Sequence, residues 1–360
     1  MNGPGTTTEE ARPRHFRRVA DLSPTALQEL LELARRMKAA PFGFREALQG
    51  QTVACIFEKP STRTRVSFAA AAARLGATPL ALTPQELQLG RGETIADTAR
   101  SLSGYVAAVV VRTFAQETIE ELARWSDVPV VNALSDQHHP CQALADLLTV
   151  ADRFGEVRGR RLAFVGDGGD NVARSLLEIG ALAGLDVTIA CPREYEPDPV
   201  ALAEARALAE LSGAELAVVH DPRAAVAGAD AVYADVWASM GEEDEREERR
   251  RVLAPYQVTR PLMALADPEA IFLHCLPAKR GEEVAADVID GPRSAVWEQS
   301  ANRLSTEQAL LWALTRTEAS GDRPDARPTR RRARPAPLSP RRSGRGAGDA
   351  AVTSPAREPR

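Results

Sequence analysis

Short runs of uninterrupted apolar residues, each followed by a segment of helical spacing, recur along most of this chain and leave few folds open to it. Thr52–Phe57 (TVACIF) is one such run, and Val66–Leu75 after it has helical composition. Val106–Val111 and Val128–Val131 are again strand-like, and Gln142–Val150 returns to helical spacing. Leu162–Val165 leads through a Gly-rich turn into a helix over Val172–Ala183. Val187–Ala190, Leu216–Val219 and Ala231–Tyr233 add strands, with an Ala-rich helix over Val200–Leu211 among them and a last helix near Ser305–Leu314. Strands without polar alternation are buried on both faces, and helices between them indicate a parallel sheet. The expected fold is therefore α/β, with two doubly wound parallel-sheet domains, since 360 residues suffice for two cores. The polar stretch Ala151–Arg160 separates a long helix from a fresh strand and marks the boundary. The expected division is a flexible N-terminus over 1–14, a first domain over 15–150 and a second over 151–304. A helix over 305–316 then packs back on the first domain.

From Thr317 the composition shifts to Arg, Pro, Ser, Gly and Asp, with eleven Arg against five acids. Residues 317–360 have too few apolar side chains to fold alone and are expected to be a disordered Arg/Pro-rich tail. Net charge over the whole chain is -5, so the part before the tail stands at -11. That balance argues against nucleic acid as the principal partner, apart from a role the basic tail could have. No apolar stretch is long enough to span a bilayer, and Met1–Arg18 lacks the apolar segment of a secretory signal. A cytoplasmic protein without a membrane partner is expected. Cys55, Cys141, Cys191 and Cys275 are widely spaced, and His138 and His139 are adjacent rather than four apart. Neither a disulfide framework nor a metal site is suggested, and no cofactor is expected.

Several segments at strand exits carry polar groups suited to chemistry. Ser61, Thr62, Arg63 and Thr64 follow the first strand and open a helix, whose first turn offers unpaired N–H groups and partial positive charge. Hydroxyls and a planar guanidinium there suit phosphate oxygens, although a Ser cap followed by solvated arginines would read similarly. His139 and Gln142 flank Pro140 at a helix start. Together they could hold a group that both donates and accepts hydrogen bonds, or they could simply mark a helix entry. The turn Gly166–Asp170 before Asn171 permits close backbone approach, but it is not GxGxxG and a dinucleotide site is disfavoured. Asp235-Val236-Trp237-Ala238-Ser239-Met240-Gly241 and His274-Cys275-Leu276-Pro277 each leave a strand on the side where α/β ligands bind. Cys275 alone would more often be a buried small residue. Arg303 is placed ahead of the final helix, where a surface arginine would also fit.

Taken together, the segments resemble the aspartate/ornithine carbamoyltransferase family, and within it the ornithine branch. Ser-Thr-Arg-Thr-Arg and His-Pro-x-Gln are shared across that family, while Asp-x-Trp-x-Ser-Met-Gly and His-Cys-Leu-Pro are similar to ornithine enzymes. The resemblance runs from about His15 to about Thr315, with the motifs in the family's order. It implies a carbamoyl-phosphate domain followed by an ornithine domain, with carbamoyl phosphate and L-ornithine as substrates. Ser61, Thr62, Arg63 and Thr64 would grip the phosphate, and Arg112 would bridge phosphate and carbonyl oxygen. His139, Gln142 and Arg303 would form the carbamoyl pocket, with Cys275 and Leu276 lining the reacting end. Asn171, Asp235, Ser239 and Met240 match ornithine-binding positions, with the register of Asn171 open by one residue. Gln88 matches a position that reaches a neighbouring subunit's site, implying a homotrimer or a multiple of trimers. Cys275, Asp235, Arg112 and His139 would carry the catalysis, with Cys275 helping to accept or relay the proton of the amine. Other acceptors (putrescine or N-acetylornithine) and a non-catalytic sensor or partner-binding homologue are the alternatives.

Overall fold

Strand order creates two crevices in this protein. The computed structural model describes residues 14–87, 92–238 and 245–316. Its first half carries α1 (Pro24–Ala39), β1 (Thr52–Phe57), α2 (Thr62–Arg74), β2 (Thr78–Leu82) and α3 (Ile95–Ser103). β3 (Ala108–Arg112), α4 (Gln116–Trp125), β4 (Val130–Leu134) and α5 (Pro140–Phe154) complete it. The second half begins with β5 (Arg161–Val165), α6 (Asn171–Ala183), β6 (Asp186–Ala190), α7 (Pro199–Ser212), β7 (Leu216–Val219) and α8 (Pro222–Val226). It continues with β8 (Ala231–Ala234), α9 (Arg246–Leu253), α10 (Arg260–Met263), β9 (Ile271–His274), α11 (Ala286–Ile289) and α12 (Val296–Thr315).

The first sheet has the order β2-β1-β3-β4 and the second β7-β6-β5-β8-β9, and every pairing is parallel. In the first, the chain turns one way after β1 and the other way from β3, so the sheet reverses direction between them. The second reverses between β5 and β8. Loops leaving the C-terminal ends of such strand pairs diverge and open a crevice. Apart from Gln88 and Arg303, the residues singled out in the sequence leave β1, β3, β4, β5, β8 and β9.

The continuous apolar runs become central strands because both faces are covered. Val53 to Phe57 on β1, all of β4 and all of β8 are buried. Each fully buried Val, Leu or Phe side chain favours the fold by about 1.5–3 kcal/mol. Helix starts follow their capping chemistry: Ser23 accepts from the Ala26 amide ahead of Pro24, and Asp198 does the same for Ala201 ahead of Pro199.

The sequence expectation left out several helices, α1, α3 and α4 among them, and two further elements depart from it. β2 was not foreseen because Pro79 interrupts its pattern; it is an edge strand, paired only with β1, where a missing donor is tolerated. The last helix begins at Val296, not near Ser305, so Arg303 lies inside it rather than ahead of it. Its first turns bury Gln299, Asn302 and Arg303, so apolar periodicity could not reveal them. α12 packs on α1, α2, α5 and β9. The N-terminal residues before 14 and the tail 317–360 lie outside the described residues.

Gly180 marks a close approach of α6 to β6. A Cβ there would sit 2.5 Å from Val187 Cγ2 and 2.8 Å from the Leu185 carbonyl oxygen. Although alanine favours a helix over glycine by about 1 kcal/mol, the overlap involves backbone and outweighs it. Gly180→Ala is expected to destabilise the protein by about 1–3 kcal/mol, read as a lowered denaturant midpoint; an unchanged or raised midpoint would refute the packing argument.

Candidate active site

The crevice between β1 and β3 is cationic. Ser61 ends the loop after β1 as the cap of α2, its hydroxyl accepting from the Thr64 amide at 3.3 Å. Thr62 and Arg63 form the first turn of that helix, and Thr64 is buried behind them. Arg112 ends β3 directly beside Phe57 of β1. An irregularity re-aims the chain there: Val111 pairs with Asn132 but Arg112 with Leu134, so β4 carries an extra residue. Arg303, buried on α12, donates to Thr64 Oγ1 at 3.0 Å and to Glu307 Oε1 at 2.8 Å. Burial, then Arg303, pulls the Arg112 guanidinium down to about 10, and burial likewise lowers Arg63. Three guanidinium groups held together at the start of a helix make this crevice suited to an anion, with Glu307 paired to Arg303 alone.

His139 and Gln142 face the same region from α5. The His139 amide donates to Ser175 Oγ at 2.8 Å, while burial, Arg303, Arg112 and Arg63 push its imidazole well below its ordinary range. A neutral ring results, able to donate to a carbonyl. His139 Nδ1, Gln142 Oε1 and Arg112 Nε are buried without a hydrogen-bond partner in the protein. Buried polar atoms are seldom left so, and these three are among those that the described residues leave unpaired.

The second crevice is acidic. Asp235 follows β8 and Cys275 follows β9; the Cys275 thiol donates to Asp235 Oδ1 at 2.9 Å. Burial raises both groups, and the Asp235 carboxylate raises Cys275 further, so the thiol stays protonated. Asp170, cap of α6, accepts from the Val172 and Ala173 amides at 2.7 and 2.8 Å. Burial and then Asp235 raise it well above the carboxylate range. Leu276 adopts a left-handed backbone with φ 58°, its amide donating to His274 Nδ1 at 2.9 Å. Asp235, His274 and Cys275 offer ligand atoms within 4.8 Å of one another. The other ring nitrogen of His274 faces Glu283 at 3.2 Å, so both ring nitrogens are already engaged, while Asp235 and Cys275 are bonded to each other.

Asn171 is the first residue of α6, and its amide donates to the Ser135 carbonyl at 2.8 Å. It lines a cavity of about 700 Å³ with Lys59, Phe114, Asp170, Val236 and Arg249. Seven carboxylates, from Asp136, Asp167, Asp170, Glu194, Glu196, Glu245 and Glu248, border that space against two cationic side chains. A cationic ligand suits it; an anionic one does not. The expected close ligand approach at the Gly-rich turn is not what Gly168 provides. A Cβ there would meet Ile189, Tyr195 and Cys191 at 2.8–2.9 Å, so the glycine serves packing.

Thus Ser61, Thr62, Arg63, Thr64, Arg112, His139, Gln142 and Arg303 gather at the first crevice, and Asp235, Cys275 and Leu276 adjoin it from the second half. Asn171 lies at the acidic cavity. Gln88, Ser239 and Met240 lie outside the described residues. Sequence reasoning passed over Arg249, which donates to Asp167 at 2.6 Å and to the Trp237 carbonyl at 3.3 Å. It also passed over Asp146 and Gln299, whose only signal was polarity on otherwise buried helices.

Comparison with known proteins agrees with this geometry. Residues 14–152 match the carbamoyl-P binding domain, and residues 158–314 the Asp/Orn binding domain, of aspartate/ornithine carbamoyltransferase. An ornithine carbamoyltransferase of Acidothermus cellulolyticus is 53% identical over 310 residues, covering 86% of this chain and 98% of its own. The ornithine carbamoyltransferase structure from Pyrococcus furiosus superposes with a TM-score of 0.80 at 48% identity, covering 83% of this chain and 96% of that one. A structure of N-acetyl-L-ornithine transcarbamylase is similar at 31% identity and a TM-score of 0.75, covering 83% and 99%. With both halves matched and the paired crevices in place, the chain belongs to the aspartate/ornithine carbamoyltransferase family.

Proposed function

We propose that this protein is an ornithine carbamoyltransferase, joining carbamoyl phosphate and L-ornithine to give citrulline and phosphate. The observation that carries the reading is a cluster of three arginines beside Asp235 and Cys275, together with an acid-lined cavity bordered by Asp170 and Asn171. In this reading Ser61, Thr62, Arg63 and Thr64 hold the phosphate and Arg112 spans phosphate and carbonyl oxygen. His139, Gln142 and Arg303 hold the carbamoyl end. Asn171, Asp235, Ser239 and Met240 hold ornithine, and Cys275 and Leu276 close over the reacting atoms.

The attacking δ-amine must be neutral, and an unperturbed one would resemble lysine near ~10.4. Lowering it by ~3 units takes roughly 4 kcal/mol of differential stabilisation, which the neighbouring guanidinium groups and exclusion of water supply. The amine attacks the carbamoyl carbon, the arginines stabilise the oxyanion, and the C–O bond to phosphate breaks. Asp235 orients the amine and takes up its proton. Cys275 acts as a protonated thiol that donates to Asp235, which revises the relay expected of it: a thiol held so far above its ordinary range already carries its proton at neutral pH and has no thiolate to accept another. Residues 15–150 and 151–304 then serve as carbamoyl-phosphate and ornithine domains, with 305–316 bracing the first. The reading carries a place in arginine metabolism in the cytoplasm, and a homotrimer or multiple of trimers to which Gln88 contributes.

Initial rates of ureido-product formation with ornithine, aspartate, putrescine and N-acetylornithine test it. Ornithine is expected to exceed each of the others by at least ~10²-fold, given how sharply buried polar sites reject the wrong partner. A dominant rate with another acceptor would move the substrate within the family. Absence of turnover by folded protein would favour a binding role.

A further inference from the structure

Three buried groups outside the substrate-binding set, His274, Gln299 and Asp146, form with Gln142 a chain whose donors converge on Asp146. The His274 backbone N–H can only donate, and it donates to Gln299 Oε1 at 2.9 Å. That fixes which end of the Gln299 amide is which. Its Nε2 therefore points onward and donates to Asp146 Oδ1 at 2.6 Å. The same carboxylate oxygen accepts from Gln142 Nε2 at 2.8 Å. An oxygen that accepts from both amides leaves Gln142 one orientation, with Oε1 turned away from Asp146. Oε1 is the buried acceptor without a partner in the protein. His274, Gln299, Asp146 and Gln142 are each at most 1% exposed, so no solvent competes for these bonds. Gln299 stands on α12, Asp146 and Gln142 on α5, and His274 on β9 next to Cys275.

We infer that Asp146 is a positioning residue: with Gln299 it locks the Gln142 amide so that its oxygen, not its NH₂, meets the carbamoyl amino group. The inference rests on the proposed carbamoyl-phosphate site and explains how that site tells an amide-bearing acyl phosphate from others. A freely flipping amide would accept from an NH₂ in one pose and clash donor against donor in the other. Burial raises the Asp146 carboxyl to about 7, and in its ionised form Oδ1 accepts from both amides. Because its far end is the backbone of β9, the same chain ties the carbamoyl pocket to the strand that presents Cys275.

The test compares binding of carbamoyl phosphate and acetyl phosphate by calorimetry, using full-length protein without an acceptor. Acetyl phosphate carries a methyl in place of the amino group and makes no use of Gln142 Oε1. Wild type is expected to prefer carbamoyl phosphate by about 10- to 100-fold. In Asp146→Leu the preference should fall to within about threefold of unity, with acetyl phosphate affinity changed no more than about threefold. Asp146→Asn keeps an acceptor oxygen and should retain most of the preference. Equal weakening of both compounds by the leucine variant would mean a merely structural role, and an intact preference would mean that Gln142 needs no lock; either overturns the inference. Should the leucine variant not fold, Asp146→Ser, whose hydroxyl is too short to reach Gln142, carries the same comparison. Binding is read without ornithine, so failure of the acceptor assignment would show in the rate assay and leave this result independent.

Discussion

Replacing Arg112 with methionine is expected to lower kcat/KM for carbamoyl phosphate by about 10³-fold or more while making the ligand-free protein more stable. The two effects share one cause. Arg112 is held beside Arg63 and Arg303, and its pKa falls to about 10, first through burial and then through Arg303. The guanidinium is still charged at neutral pH, so the folded protein carries the cost of keeping it so, roughly 1–3 kcal/mol. A dianionic phosphate removes that cost by pairing with the cluster. Methionine removes it without a ligand, and removes the oxyanion's partner as well.

The pH dependence has a definite sign. A base whose folded pKa is lowered destabilises the protein wherever it is charged in both states, here at all pH values below about 10. The stability gain of Arg112→Met should therefore be the same at pH 6 and pH 8. Thermal melts at both, with and without inorganic phosphate, check this. Wild type should gain stability with phosphate through mass action, and the variant should gain much less. A variant that melts lower than wild type at both pH values would show that Arg112 is a structural cation, not a strained ligand.

Asp235→Asn is expected to lower kcat/KM for ornithine by about 10²- to 10³-fold and to leave carbamoyl phosphate affinity within about threefold. Asp235 is buried, receives the Cys275 thiol and faces Asp170 across the acidic crevice. Burial raises its carboxyl above the ordinary range, so it gains a proton at a higher pH than a surface aspartate would. The ornithine rate should thus fall on acidification while carboxylates elsewhere are still ionised. With asparagine that acidic limb should disappear. The Cys275 thiol should become easier to ionise, since the carboxylate that helps raise it is gone, and alkylation at fixed pH should quicken. If the acidic limb survives the substitution, Asp235 is not the group that titrates.

Much of this architecture could be read from residue order. TVACIF, AVVV and RLAFV have no polar alternation, so strands buried on both faces, and hence parallel sheets between helices, were legible. The polar helix start after β1 was legible too, because its hydroxyls and arginine are consecutive and need no distant partner. The same holds for Asp235 and Cys275, each placed one residue beyond an apolar strand. β2 was hidden by Pro79, and the start of α12 by polar side chains that it buries. Local pattern reports which face of an element is apolar, but it carries no information on what a buried polar residue will meet.

Tertiary structure decided the rest. Only the sheet orders set β1 beside β3 and β5 beside β8, which opens the crevices and brings Arg63 and Arg112 together. Only the return of α12 across α2 and α5 carries Arg303 to Thr64 and Gln299 to Asp146, partners 239 and 153 residues apart. The direction of charge shifts at Arg112, His139, Asp170 and Asp235 likewise follows from burial shared among elements remote in sequence. Strand and helix identity is settled by near neighbours along the chain, whereas hydrogen-bond partners and desolvation depend on distances in space that only the folded packing supplies.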